Sequence, residues 1–510
     1  MRSAVYTLGP ERPPPQHHGI TCFALGASAC NGGGNGGGKE VKEILVDLHT
    51  LMPTPNETPT PDQPHPVNAS RYIAAAYQEK TGIKINWASD YAKPSDNITN
   101  VRTWFNTQIS VKNCPAIGFT FGTKMQEDNL YINLEEYLEK PNPYVEGNTR
   151  WKDLFEDWVW EDPAVLDANG HIVSIPVVLN PGSATAIYYN KDMFESNNIS
   201  VPTTWNEFLA VTDSVKKVSG VQYAYVPYTG DTSISLNSWA VTYNLAPGFA
   251  KGMMDRTDYD KSGRTTTNEL IRAVLEGEFN PNTCQEAKAL YRQAYNYYKT
   301  VLPTGWDSIP GSTFQTAWDE GKVGMKNQGL WYYTNEQSDI LRQFEFDLFT
   351  PPVAQSDTSS YAADLERKTL ADGYQSEVLM AFNLMKPAVE GNQALLDKAI
   401  DFLMYITAPE AVTALIQENG AGLPAVKGAE YPSIYDDSGW LNKEFTVIDA
   451  STWPLGFITS NTANINAAFN DWVLGDKTEA EFFITLNREQ QAGAQTMVKN
   501  MNIDTTGWNI

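Results

Sequence analysis

The stretch "NASRYIAAAYQEKTGIKINW", residues 68–87, decides the fold class because it reads as a helix that runs directly into a strand. Asn68 is a favoured residue at a helix N-terminus, and Gly82 ends the helical pattern just before the apolar segment "IKINW". Another apolar segment, "EILVDLH" at 43–49, precedes the helix. Strand, helix and strand at this spacing predict a βαβ unit, and hence a parallel sheet covered by helices.

The same alternation continues along the chain. Apolar segments predict three further strands, at 116–121, 172–179 and 184–190. Two helices are predicted to begin at capping boxes, Thr204 with Glu207 and Thr283 with Glu286. An α/β fold with a parallel sheet is therefore expected.

Length and charge restrict the classes of function. A chain of 510 residues exceeds the size at which one hydrophobic core usually keeps growing, which predicts two lobes. Lys plus Arg number 37 and Asp plus Glu number 61, which gives a net charge of −24. This charge repels phosphate backbones, so nucleic acid is not an expected partner. No run of 18 or more apolar residues is present, so no membrane-spanning helix of the usual length is predicted.

The cysteines and histidines do not indicate a metal site. Cys22, Cys30, Cys114 and Cys284 are too few and too scattered for a disulfide framework or a Cys-x-x-Cys ligand pair. Cys114 and Cys284 are interpreted either as two buried thiols or as one bridge. The five histidines include no His-x-x-x-His pair, and neither a metal ion nor another cofactor is expected.

The N-terminal region has two parts. The segment "GITCFALGASAC", residues 19–30, is followed by the glycine-rich "NGGGNGGGKE" at 31–40. Together they resemble a bacterial lipoprotein signal with its tether. The resemblance implies that residues 1–29 are a signal peptide and that Cys30 carries the lipid. By the same resemblance, residues 30–40 hold the folded body away from the membrane. Residues 1–18 depart from the pattern, because Glu11 and three prolines replace the usual charged segment.

Four further segments, in order, resemble family 1 extracellular solute-binding proteins, the sugar-capturing subunits of bacterial ABC importers. They are "IYYNKDMFESNNISVPTTWNEFLAVTDSVKK" (187–217), "FQTAWDEGKVGMKNQGLWYYTN" (314–335), "AIDFLMYITAPEAVTALIQENGAGLPAVKG" (399–428) and "INAAFNDWVLGDKTEAEFFITL" (465–486). The resemblance implies a hinged, two-lobe periplasmic-binding-protein-like fold of type II with the ligand in the cleft between the lobes. It places lobe 1 at 41–172 with 320–353 returning to it. Lobe 2 and the C-terminal helices take 173–319 and 354–510.

The same resemblance suggests where a ligand binds. A pyranose ring shows an apolar face and a fringe of hydroxyls, so a flat indole or phenol ringed by polar groups complements it. Trp331, at the family's Gly-x-Trp position, is the first candidate for such a platform, with packing inside the lobe as the alternative. The other candidates are Trp239, Tyr228, Trp453 and Phe121 for aromatic contacts, and Asp90 and Asp372 for hydrogen bonds at the rim, with solvated surface as the alternative for both.

The resulting hypothesis is a monomeric, extracytoplasmic receptor, anchored by lipid to the outer face of the bacterial cell membrane. It would capture a carbohydrate, an oligosaccharide in the first instance, and deliver it to an ABC transporter permease without catalysing a reaction. Two alternatives stay open. The same fold binds a peptide or a polyamine, or the chain is a carbohydrate-active enzyme with two carboxylates about 5 to 9 Å apart.

Overall fold

The structure of the chain is a computed structural model. It describes residues 40–60, 66–88, 98–121, 129–162, 164–167, 169–180, 185–227, 233–263, 265–303, 309, 311–337, 339–368, 377–419, 422–432, 445–446 and 453–510. Within these ranges the side chains of some residues, including Phe121 and Trp331, are outside the description. Residues Val41–Ile510 form one compact unit.

The strands form two larger sheets and one small one. In chain order they are β1 (Glu43–Val46), β2 (Lys84–Trp87), β3 (Ile117–Phe121), β4 (Ser174–Asn180), β5 (Thr185–Asn190), β6 (Tyr223–Val226), β7 (Val323–Gly329), β8 (Phe346–Phe349), β9 (Arg367–Lys368), β10 (Glu377–Leu384), β11 (Leu423–Pro424) and β12 (Phe445–Thr446). The first sheet has the order β11-β4-β10-β3-β1-β2, and the second has the order β6-β7-β5-β8. Strands β9 and β12 form an antiparallel pair.

Helices surround both sheets. They are α1 (Ala69–Thr81), α2 (Ile98–Ser110), α3 (Glu135–Leu138), α4 (Lys191–Ser196), α5 (Trp205–Val215), α6 (Ala246–Gly252), α7 (Met254–Thr257), α8 (Thr267–Leu275), α9 (Gln285–Val301), α10 (Gly311–Asp319), α11 (Tyr333–Gln337), α12 (Lys386–Val389), α13 (Gln393–Ile406), α14 (Pro409–Asn419), α15 (Thr459–Leu474) and α16 (Glu479–Asn500). Shorter 3-10 helices cover His49–Leu51, Trp151–Leu154, Asp157–Glu161 and Leu330–Tyr332, and Ala240–Leu245 is a π-helix.

The expected βαβ unit is present. Strands β1 and β2 pair in parallel, with Glu43 opposite Lys84 and Val46 opposite Trp87, and α1 connects them. Helix α1 buries Ile73 and Tyr77 on one face because these residues are one turn apart. Gly82 adopts a left-handed φ of 75° at the helix end, a conformation that costs glycine little.

The chain passes between the two larger sheets three times. Residues 181–184 link β4 to β5, residues 350–376 link β8 to β10, and residues 425–458 link β11 to α15. Strands β9 and β12 belong to the second and third of these links, so their pairing ties the two crossings together. Helix α15 lies with the second sheet's helices, since Asn466 Oδ1 accepts the Leu236 N–H at 3.0 Å.

This pairing differs from the expected lobe boundaries in three places. The segment 320–353 was expected to return to the first lobe, but β7 and β8 pair with β5 in the second sheet. Conversely, β4 lies within 173–319, and β10 and β11 lie within 354–510, yet all three strands belong to the first sheet. Sheet membership depends on hydrogen bonds between distant segments, and the local apolar pattern of a strand does not record its partner.

The structure describes two of the cysteines. Cys114 and Cys284 are free thiols, so they form no bridge with each other. Burial raises the pKa of the Cys114 thiol to about 12.

No single helix among the described residues is long and apolar enough to cross a membrane. The bent pair Gln393–Ile406 and Pro409–Glu418, at 69°, passes the same test by length and composition alone.

Candidate ligand-binding site

The candidate site lies at the ends of the strands in the two larger sheets. In the first sheet β1, β2 and β3 are parallel, and β4 runs in the same direction as β3 because both are antiparallel to β10. Their carboxyl ends therefore share one edge of the sheet. Ligands of open α/β sheets bind outside the carboxyl ends of the strands, where loops supply the contacts.

The corresponding edge of the second sheet is marked by Gly329, the last residue of β7. Thr185 at the start of β5 lies opposite Gly329, and β6 runs parallel to β7 and ends toward the same edge. Only residues 181–184 separate β4 from β5, so the two edges lie at most about 18 Å apart at this crossing. Strand ends from both sheets therefore lie near each other at this crossing.

The segment after Gly329 carries three consecutive aromatic residues at this edge. Trp331 lies in the 3-10 helix Leu330–Tyr332, directly after β7, and its side chain is outside the description. The neighbouring rings pack on the second sheet. The Tyr332 ring centroid lies 5.2 Å from the Lys326 Nζ, and the Tyr333 ring lies 5.8 Å from that of Phe346. Of the triplet, Trp331 therefore remains the candidate for contact with a ligand.

A buried ion pair supports this aromatic segment from below. Lys326 on β7 and Glu336 on α11 form an ion pair with side chains that are 1% and 0% exposed. Glu336 also accepts the Trp318 Nε1–H at 2.8 Å. Burial lowers the pKa of Lys326, and the adjacent Glu336 carboxylate opposes that shift. The pair joins the elements on either side of the 3-10 helix, so it fixes the backbone that carries Trp331.

Hydrogen bonds also fix the end of β7. The Tyr188 hydroxyl donates to the Gly329 carbonyl at 2.8 Å, and the Gly329 N–H donates to the Gln328 side chain at 2.9 Å. Asn327 and Gln328 are both buried. These amides are therefore part of the scaffold rather than an exposed rim.

The other aromatic candidates have different surroundings. Trp239 is half-buried at the N-terminus of the π-helix Ala240–Leu245, a rare element that is frequent at functional sites. Trp453 is 7% exposed, and its Nε1–H donates to the Tyr291 hydroxyl at 2.9 Å. Its ring also packs against Phe279 at 4.9 Å. These contacts place Trp453 in the hydrophobic core of this structure.

The structure tests few of the remaining candidates. Phe121 is the last residue of β3, at the carboxyl edge of the first sheet, but its side chain is outside the description. Tyr228, Asp90, Asp372 and Cys30 lie outside the described residues. The contact of these residues with a ligand or lipid remains a prediction.

Asp47 is a candidate that the sequence interpretation missed. It follows β1 directly, it is fully buried, and its Oδ1 accepts the His49 N–H at 2.9 Å. Its Oδ2 has no hydrogen-bond partner in the described part of the chain. Burial raises the pKa of Asp47 to about 7, while the hydrogen bond from His49 opposes the shift. A buried carboxylate with an unused acceptor is costly, which is typical of functional sites.

His49 adds a strained backbone at the same place. It has a φ of 54°, which is uncommon for a residue other than glycine, and its ring lies 4.3 Å from that of Phe119 on β3. The signal in the sequence is an aspartate between the apolar residues 44–46 and Leu48.

The structure is an α/β fold with two larger sheets, and the chain passes between them three times. The candidate residues lie at the two sheet edges that residues 181–184 connect. This arrangement is that of the hinged two-lobe binding proteins. The family model described as "Bacterial extracellular solute-binding protein" matches residues 72–440. The chain therefore belongs to the family of bacterial extracellular solute-binding proteins. No curated protein sequence matches it.

Solved structures are similar over nearly the whole length of their chains. RafE in complex with raffinose is 16% identical with a TM-score of 0.52, and the match covers 89% of this chain and 99% of that one. A protein from a study of xylan utilisation by the bacterium Caldanaerobius polysaccharolyticus is 15% identical with a TM-score of 0.53, covering 88% and 99%. The binding protein MsmE from Bacillus subtilis, in an open conformation, is 12% identical with a TM-score of 0.54, covering 89% and 98%. At these identities the likeness shows the fold.

Proposed function

We propose that this solute-binding protein captures a carbohydrate, in the first instance an oligosaccharide, outside the cytoplasm and delivers it to an ABC transporter permease. The observation that carries the proposal is the aromatic segment that begins directly after Gly329, at the sheet edge that a four-residue link joins to the other sheet. Raffinose in the complex of the similar RafE supports the same class of ligand.

The chemistry of the two edges suits a sugar. The Trp331 indole stacks on the apolar face of a pyranose, since flat aromatic rings cover such a face well. Asp47, directly after β1 at the other edge, has a carboxylate oxygen with no partner among the described residues, and a carboxylate is a strong acceptor for a sugar hydroxyl. A ligand that contacts both edges holds the lobes closed, which is the motion expected of a hinged pair.

Calorimetry tests the cargo. The full chain is titrated with raffinose, xylo-oligosaccharides and chitin oligosaccharides, and separately with a mixed peptide pool and with spermidine. Saturable binding of at least one sugar is expected, with no new reducing ends after prolonged incubation. Tight binding of the peptides or of spermidine without any sugar would contradict the carbohydrate assignment. The appearance of reducing ends would favour the enzyme.

A further inference from the structure

The twelve-residue segment "DYDKSGRTTTNE", residues 258–269, begins directly after α7 and ends in the first turn of α8. Oxygen-bearing side chains stand at its positions 1, 3, 5, 9 and 12, namely Asp258, Asp260, Ser262, Thr266 and Glu269, and Gly263 stands at position 6. This is the spacing of the calcium-binding loop of an EF-hand, in which positions 1, 3, 5 and 12 supply ligands and an invariant glycine makes the turn. Ser262 replaces the usual Asp or Asn at position 5.

The carboxylates of the loop converge in space. Ligand oxygens of Asp258, Asp260 and Glu269 all lie within 4.8 Å of one another. Oxygens around one calcium ion stand 2.3–2.6 Å from it, so two of them lie at most about 5 Å apart. Gly263 has a φ of 85°, which allows the chain to turn between position 5 and position 7. Arg264, at position 7, is outside the described residues.

The start of α8 orients the glutamate at position 12. Thr266 is the N-cap of α8 and Glu269 is the third residue of the helix, and the two form a capping box. Position 9 of the loop is therefore the N-cap, and position 12 projects from the first helical turn back toward position 1. One oxygen of Glu269 accepts the Tyr259 N–H at 2.7 Å, which draws the carboxylate over the loop.

The charge of the cluster is an observation independent of this spacing. Asp258 and Glu269 are only 5% and 9% exposed, and neither forms an ion pair with a cation that the structure describes. The nearest cations on the flanking helices are engaged elsewhere, since Arg256 pairs with Glu286 at 3.0 Å and Arg272 pairs with Glu276 at 2.9 Å. Backbone N–H groups donate to both carboxylates, those of Ser262 and Gly263 to Asp258 and those of Tyr259 and Asp260 to Glu269. A cation would add the opposite charge, because three carboxylates this close together repel one another.

We propose that residues 258–269 bind one calcium ion, with Asp258, Asp260, Ser262 and Glu269 as side-chain ligands. The ligand set consists of oxygens alone and contains no thiolate or imidazole, which favours a hard cation. A flexible loop with three carboxylates suits calcium better than magnesium, because magnesium demands near-ideal octahedral geometry and releases its water reluctantly. The cation neutralises the buried charge of the loop.

Calcium at this place would act on the C-terminal end of the chain. Helix α8 packs on α16, where the Gln491 side chain donates to the Val274 carbonyl. The Asn509 N–H donates to Glu276 at 3.0 Å, and Glu276 also accepts the Tyr259 hydroxyl within the proposed loop at 2.8 Å. Binding at the first turn of α8 is therefore expected to stabilise the attachment of the last helix.

Calcium binding to the full chain tests the proposal. The protein is stripped with EDTA, dialysed into metal-free buffer and titrated by calorimetry with CaCl₂ and separately with MgCl₂. Thermal unfolding is followed in each solution. The test variant is Glu269→Gln, because glutamine keeps the capping box but removes the carboxylate. The matched control is Glu481→Gln, which makes the same change in the Thr478–Glu481 capping box of α16.

The parent and Glu481→Gln should each bind one calcium ion and unfold at a higher temperature with calcium than with EDTA, because a ligand of the native state stabilises it. Glu269→Gln should bind calcium at least about 100-fold more weakly, since even the loss of an outer partner of a metal ligand costs about 10–100-fold. The melting curve of each variant in EDTA shows that it folds. No calcium binding by the parent, an equal response to magnesium, or full affinity in Glu269→Gln would each overturn the proposal.

Discussion

Asp47 follows β1 directly, and its carboxyl group is completely buried. Its pKa is raised from 3.8 to about 7 by burial, so between these values the native state holds a proton that the unfolded chain has lost. Stability from this group is therefore present at low pH and is lost as the pH rises toward 7. Between pH 8 and pH 5 the parent should gain about 2.7 kcal/mol that Asp47→Asn does not gain, which is 1.36 kcal/mol for each of two pH units.

Urea unfolding of both proteins at pH 5 and pH 8 measures this difference, with Asp213→Asn on the exposed surface as the control. Parallel pH dependence of the parent and Asp47→Asn would contradict the raised pKa of Asp47.

The same variant, Asp47→Asn, should bind its sugar at least about tenfold more weakly at pH 8. The amide is a poorer acceptor than a carboxylate, and one good hydrogen bond to a charged group contributes about 1.5–3 kcal/mol.

A substitution of Trp331 distinguishes contact with a ligand from packing inside the protein. If its indole stacks on the sugar, Trp331→Ala should weaken binding by about 2 kcal/mol, or about thirtyfold, while the free protein loses less than about 1.5 kcal/mol of stability. The control is Trp205→Ala, because Trp205 is 2% exposed in the core and its truncation should cost about 3–5 kcal/mol of folding energy. Calorimetry and urea unfolding give both quantities. A large loss of stability in Trp331→Ala with the affinity intact would assign Trp331 to packing.

Trp453, Trp331 and Asp47 also show how much of the site the sequence could predict. Aromatic residue types and their order indicated a sugar site, but they do not record burial. Trp453 and Trp331 were candidates of the same kind, yet Trp453 donates its indole N–H to Tyr291 inside the core. Asp47 was missed for the converse reason. The local pattern of 43–49 is that of a strand, and only the tertiary fold shows that an aspartate within it is buried.

Among the elements, β7 and α11 hold the aromatic segment between them through Lys326 and Glu336. Removing one partner of a buried ion pair leaves an unpaired charge and typically costs about 3–5 kcal/mol. Lys326→Met and Glu336→Gln are each expected to destabilise the protein by about that amount. The double variant should lose about 1–3 kcal/mol less than the sum, because the two groups interact directly. A double-mutant cycle by urea unfolding measures the coupling, and strict additivity would show that the pair contributes nothing as a pair.

Helices were predictable where the signal in the sequence is local. The Thr204–Glu207 capping box opens α5 as predicted, because both halves of the motif lie within one helical turn. The helix predicted to begin with Thr283 and Glu286 instead has Cys284 as its N-cap, and Glu286 pairs with Arg256. An ion pair with α7, distant in sequence, thus competed with the local capping box. The π-helix Ala240–Leu245 had no signal in the sequence pattern.

At the scale of the whole molecule, the order of strands was the least predictable feature. A hinged two-lobe fold followed from the family resemblance, and the structure and comparisons agree with it. The sequence places the return of the chain to the first lobe at 320–353, whereas the strands that return to the first sheet after β4 are β10 and β11. Both segments read as buried strands. Which sheet each one joins depends on crossings that are set by tertiary packing rather than by composition.

The proposed lipid anchor also belongs to this scale. Residues Val41–Ile510 form one compact unit that contains both larger sheets, so binding and folding should not require the residues before Val41. If Cys30 is lipidated, Cys30→Ala should move the protein from the membrane fraction to the soluble fraction while its sugar affinity stays within about twofold. Cys22→Ala is the matched control, since it removes a thiol in the same segment without touching the predicted lipidation site. Fractionation of cells that express each variant checks the prediction. Equal retention of Cys30→Ala and the parent in the membrane would exclude an anchor at Cys30, and retention lost only in Cys22→Ala would move the anchor to that residue.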